Sequence, residues 1–120
     1  MKMEILQIKE LYKQLITILN KESDNEVNDL IKQLAMGLTL IDECFYNHPE
    51  ETNLNQLYLQ LTEIYKNINQ PRVGLSDYFI WRDDYGERIK ANECLDFIKA
   101  SLHKVFIDHE FNEYEKRVKK

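Results

Sequence analysis

Glycine and proline are scarce in this chain, at three and two residues in 120. A sheet protein with many tight turns needs more of both, so the shortage argues for long helices joined by few connectors. Cysteine is limited to Cys44 and Cys94. Two thiols far apart among helix-patterned apolar residues favour buried, free side chains over a disulfide. No apolar run exceeds a few residues, and Glu4 interrupts the N-terminal segment where a secretion signal needs a continuous apolar core. A membrane span is thereby disfavoured and a cytoplasmic location expected. Positive charge is also in deficit. Sixteen Lys and Arg against twenty-one Asp and Glu give a formal net charge of −5, which speaks against direct binding to a phosphate backbone and for a basic partner.

Chemistry-bearing constellations are missing as well. His48, His103 and His109 stand neither four residues from one another nor three residues after a glutamate, so no helical metal spacing arises and no metal is expected. Gly37, Gly74 and Gly86 are isolated, which removes any phosphate-cradling loop, and no cofactor is expected. Small helical ribonucleases of toxin pairs carry an arginine followed shortly by a histidine on the last helix. Here Arg88 is followed by Asn92 and Glu93. With no nucleophile elbow and no activated thiol, the chain reads as a non-enzyme.

What is present is helical periodicity. Ile5, Ile8, Leu11, Tyr12, Leu15, Ile16 and Leu19 recur at three- and four-residue steps and define a first amphipathic helix. Ser23 and Glu26 have the spacing of a capping box for a second helix, whose stripe is Val27, Leu30, Ile31, Leu34, Leu38, Ile41 and Phe45. Gly37 interrupts that stripe at a cost of about 1 kcal/mol relative to alanine, which is consistent with close approach of a neighbouring helix. Asn47 to Glu51 reads as a turn, followed by a third stripe of Leu54, Leu57, Tyr58, Leu61, Ile64, Tyr65 and Ile68 that Pro71 terminates. A last helix carries Ile89, Leu95, Ile98, Leu102, Val105 and Phe106, with Ala91 and Cys94 beside the stripe and Asn92 at its edge. Residues 108–120 either extend it or frame a short fifth helix, and the segment of about 112–120 is expected to fray. The fold class expected is all-α: one domain over residues 1–120, an antiparallel four-helix bundle with a short extra helical turn before the last long helix.

The segment from Pro71 to Arg88 stands apart. It combines turn formers, the only tryptophan, further aromatic rings and alternating charges. Rings supply contact area at low entropic cost, and carboxylates steer a basic partner. Phe79 together with Ile80 or Trp81 is expected to seal the bundle, Trp81 suiting core and interface equally well. Asp77, Tyr78, Asp83, Asp84, Tyr85 and Glu87 are then the residues expected to face a partner.

The run Pro71-Arg72-Val73-Gly74-Leu75-Ser76-Asp77-Tyr78-Phe79-Ile80-Trp81, followed by Asp83-Asp84, Glu87-Arg88 and Asn92, resembles a pattern in small acidic bacterial proteins encoded beside polymorphic toxins. These are similar to the immunity proteins of contact-dependent growth inhibition. The residues that carry the resemblance lie within 71–92. It implies a cytoplasmic antidote that binds a cognate toxin domain with a basic surface, a nuclease in the commonest class, and blocks its active site. The competing expectation is a non-enzymatic adaptor or regulatory bundle acting through homodimerisation or docking on a cytoplasmic partner, with Tyr12, Tyr58 and Tyr65 as rim aromatics. Monomer and dimer are both compatible with the sequence.

Overall fold

A computed structural model describes residues 1–22, 27–69, 74–75 and 78–118, with side chains as far as Phe106. The chain forms α1 (Lys2–Lys21), α2 (Asn28–Tyr46), α3 (Glu51–Ile68) and α4 (Tyr85–Val118), and no strand occurs among the described residues. The apolar stripes become the core. Ile5, Ile8, Leu15 and Leu19 of α1, Leu34 and Ile41 of α2, Leu61 and Ile68 of α3, and Leu95 and Leu102 of α4 are completely enclosed. Each such side chain contributes roughly 1.5–3 kcal/mol by leaving water. Among the described residues no helix is long and apolar enough to cross a membrane.

The helices run up, down, up, down around this core. Lys9 of α1 pairs with Asp42 of α2 at 2.9 Å, while Tyr12 meets Gly37 further along, so α1 and α2 are antiparallel. Gly37 also faces Leu61 of α3. On the other flank the Tyr58 and Tyr65 rings of α3 lie 5.6 and 4.4 Å from the Phe106 ring of α4. Helix α1 packs on both α2 and α4, and α3 lies diagonally across from it. Gly37 is the close approach its position suggested: a Cβ there would sit 3.0 Å from Cε2 of the fully buried Tyr12 ring.

Helix ends follow local chemistry. Asn53 Oδ1 accepts from the Glu50 N–H at 3.0 Å and opens α3. Pro49 sits just ahead of that cap, after His48 has taken a left-handed backbone angle of φ 50° that reverses the chain. The Asn69 side chain closes α3 by donating to the Tyr65 carbonyl at 2.9 Å. The Ser23–Glu26 capping box lies outside the described residues. Helix α4 runs unbroken to Val118, so the charged tail extends the last helix and frames no fifth one.

Several side chains stand elsewhere than their spacing suggested. Tyr12 and Tyr58 are buried and Tyr65 is half-buried, so they form core, not rim. Cys44 and Cys94 are both free thiols, but Cys44 is half-buried and Cys94 exposed. Ile89 is 42% exposed. The buried stripe of α4 steps back from Leu95 through Asn92 and Ala91 to Arg88, and Ile89 falls to one side of it, about 100° round the helix from Arg88.

Candidate partner-binding surface

The connector between α3 and α4 is held by the helices beneath it through its own backbone groups. Among its described residues Leu75 and Ile80 are buried anchors, 1% and 2% exposed. A single turn closes where the Tyr78 N–H donates to the Leu75 carbonyl at 3.1 Å. The expected helical turn goes no further, and residues 78–82 are not helical. Asn92 explains why. From a buried position on α4 its Oδ1 accepts the Ile80 N–H at 2.9 Å, and its Nδ2 donates to the Ile80 carbonyl at 2.8 Å and to the Arg88 carbonyl at 2.9 Å. One carboxamide satisfies both backbone groups of Ile80, which a continuing helix would have used for itself.

Burial then alternates along the segment, as it does in an extended chain. Ile80 points inward, while Phe79 and Trp81 are 57% and 62% exposed. Phe79, expected to seal the bundle, does not do so; Trp81, left open between core and interface, lies at the surface, and Ile80 fills the inward place.

Further ties fix the exposed rings. Lys99 Nζ donates to the Tyr78 carbonyl at 2.8 Å, and Arg88 Nε donates to the Arg82 carbonyl at 3.1 Å. Arg82 reaches back sixty positions to the end of α1, where its two terminal nitrogens each donate to one carboxylate oxygen of Glu22 at 2.7 Å. This fork-on-fork pair is a stronger and more directional contact than an ordinary surface ion pair. Hydrogen bonding from Arg82 holds the Glu22 carboxyl below its ordinary pKa against the opposing effect of burial, and Glu22 correspondingly raises Arg82.

Asp84 is the N-terminal cap of α4. Its Oδ2 accepts the Glu87 N–H at 2.9 Å, and its carbonyl accepts the Arg88 N–H at 3.0 Å. Trp81 is exposed yet contacted from two sides. The Arg88 guanidinium carbon lies 4.0 Å from the centre of its ring, and its indole N–H donates to Asp83 Oδ1 at 3.3 Å. The same guanidinium lies 5.7 Å from the Tyr85 ring, which is 70% exposed.

The residues expected to face a partner are therefore partly assembled. Asp83, Asp84, Tyr85 and Glu87 are exposed together at the start of α4, with Asp84 committed to capping and Asp83 to the indole. Tyr78 is half-buried against the core, a packing residue as much as a surface one. Asp77 lies outside the described residues. Spacing alone passed over Phe79 as a surface ring, left Trp81 open between core and interface, and missed Glu22, Arg88 and Asn92 as supports. The only available hint was Asn92, a polar residue at the edge of an apolar stripe.

Among the described residues no group of three His, Cys, Asp or Glu side chains converges to hold a metal ion. Neighbouring this surface are instead pre-ordered aromatic rings and carboxylates, an arrangement that suits recognition of a protein surface. Comparison with protein-family models, with curated proteins and with solved structures finds no match for the chain.

Proposed function

We propose that this protein is an immunity protein that acts in the bacterial cytoplasm, binding a cognate toxin domain and occluding its basic active-site surface, with a ribonuclease as the toxin. The observation that carries the proposal is Trp81: a large ring 62% exposed, clamped by Arg88 and Asp83 and flanked by Asp84 and Glu87. A free protein that holds such a ring rigid in water has already met the ordering cost of binding, which is how anchor residues of tight interfaces behave. The carboxylates around it match a cleft built to grip RNA phosphates. The sequence resemblance of residues 71–92 supports the same assignment. No catalytic group is required for it.

The adaptor alternative leaned on Tyr12, Tyr58 and Tyr65 as rim aromatics. Their place in the core removes that support.

The test is inhibition. The toxin domain encoded beside this chain is assayed on RNA with the purified chain added in steps. The proposal predicts loss of cleavage reaching completion at one equivalent; undiminished cleavage at tenfold excess overturns it.

A further inference from the structure

We propose that the toxin-facing surface does not stop at the connector but continues along the seam between α1 and α4, where a groove receives an apolar side chain from the same basic partner. This inference rests on the immunity assignment and deepens it.

The seam begins at the Arg82–Glu22 pair, which joins the connector to the end of α1. Directly below it lies a groove of about 490 Å³ lined by Gln14, Thr17 and Ile18 of α1 and by Glu93, Cys94, Phe97 and Ile98 of α4. Ile18 stands four residues before Glu22, and Cys94 and Phe97 stand six and nine after Arg88, the residue that carries the Trp81 ring. At about 1.5 Å per helical residue Cys94 and Phe97 lie roughly 9–14 Å along α4 from the tryptophan support. A standard interface of about 800 Å² per partner is roughly 30 Å across, so one partner covers both.

The surface of the groove is mainly apolar, with Gln14, Thr17 and Glu93 among its lining residues. Phe97 is 67% exposed there, a large ring outside the core. Ile89, 42% exposed, stands on α4 between it and Tyr85 at steps of four and eight residues, so the apolar surface is stepped along one outer face of the helix. Unlike the rings at the connector, Phe97 has a groove beside it, which makes this part of the surface a receptor and not a knob.

Charge selects the occupant. Between Asp83 and Phe97 five carboxylates are exposed, Asp83, Asp84, Glu87, Glu93 and Asp96, against the exposed Lys90 and the half-buried Arg88. Arg88 is already engaged with Trp81. A second copy docking through this stripe about a dyad near its middle would set these carboxylates against their own images, whereas a basic partner meets them with opposite charge. The occupant is thus an aliphatic or aromatic side chain of the toxin, with a lysine or arginine next to it at Glu93.

The experiment measures affinity for the purified toxin domain by calorimetry, with gel filtration and light scattering of each variant alone. Phe97→Ala removes the exposed ring and Thr17→Arg fills the groove with a cation. Both positions are solvent-facing, and unfolding curves identify any variant that fails to fold, the other then carrying the test. The expected result is a rise in Kd of about tenfold for Phe97→Ala and more for Thr17→Arg, with the chain monomeric throughout. Wild-type binding lost in Trp81→Ala but unchanged in both groove variants overturns this inference and leaves the immunity assignment standing. No binding by the wild type overturns the assignment itself, and the inference with it. A wild-type dimer that Phe97→Ala dissociates assigns the groove to a second copy and also overturns the inference.

Discussion

Replacing Asn92 with alanine removes three hydrogen bonds at once, and two of them serve Ile80, whose side chain is 2% exposed. The Arg88 carbonyl keeps its place in the helical ladder, so its loss counts little. The Ile80 N–H and carbonyl lose their side-chain partner next to a residue that is itself only 7% exposed. Each orphaned buried group costs about 1–3 kcal/mol. Movement of the connector toward water recovers part of that, so the expected destabilisation is about 2–4 kcal/mol, a large share of the roughly 5–15 kcal/mol that holds such a domain together. Urea unfolding followed by the single tryptophan measures it. Amide exchange at Ile80 should also turn from slow to fast. Asn92→Asp provides the internal control: it keeps the acceptor for the Ile80 N–H but turns oxygen toward two carbonyls. The variant should regain stability in acid, where protonation restores a donor, whereas Asn92→Ala should show no such recovery. A loss below about 0.5 kcal/mol for Asn92→Ala, or unchanged exchange at Ile80, refutes the idea that this carboxamide shapes the connector.

Two further outcomes follow from buried polar groups. The Tyr12 ring is wholly enclosed, its hydroxyl finds no hydrogen-bond partner among the described residues, and burial pushes its pKa well above the ordinary phenol value. Tyr12→Phe should therefore raise stability by up to about 1 kcal/mol in urea unfolding, since it deletes an unsatisfied hydroxyl and keeps the ring; a loss of similar size would reveal a partner. The depressed Glu22 pKa means that the folded state favours the carboxylate, so its contribution is present above the ordinary carboxylate pKa of about 4.3 and lost as pH falls through the lower folded value. Glu22→Gln should be less stable than wild type at pH 7, and the two unfolding midpoints should converge below about pH 4; a constant gap at all pH values contradicts the Arg82 pairing.

The helices were legible because apolar spacing at three and four residues is a local property, and because a proline such as Pro71 cannot continue a helix. The site was legible only as a neighbourhood. Asp83, Asp84, Tyr85 and Glu87 were found because they cluster in sequence near the rings. The inward turn of Ile80 and the outward turn of Phe79 and Trp81 depend on Asn92, twelve positions away, and the docking of Arg82 depends on Glu22, sixty positions away. No periodicity encodes such pairings. The tyrosines failed in the opposite sense: Tyr12, Tyr58 and Tyr65 sit in register with the stripes, and that register, not the polarity of their hydroxyls, decided their burial. Ile89 shows the same rule from the other side, since its apolar character did not outweigh a position off the stripe.

The most direct test of the proposed immunity function is calorimetric titration of its proposed partner, a toxin domain encoded beside this chain, with the wild type and with Trp81→Ala. The account predicts one-to-one binding by the wild type and a Kd at least about 30-fold higher for the variant, the loss expected of an anchor worth 2 kcal/mol or more, at an unchanged urea midpoint. Absence of a complex with the wild type, or equal affinity for both proteins, would contradict it.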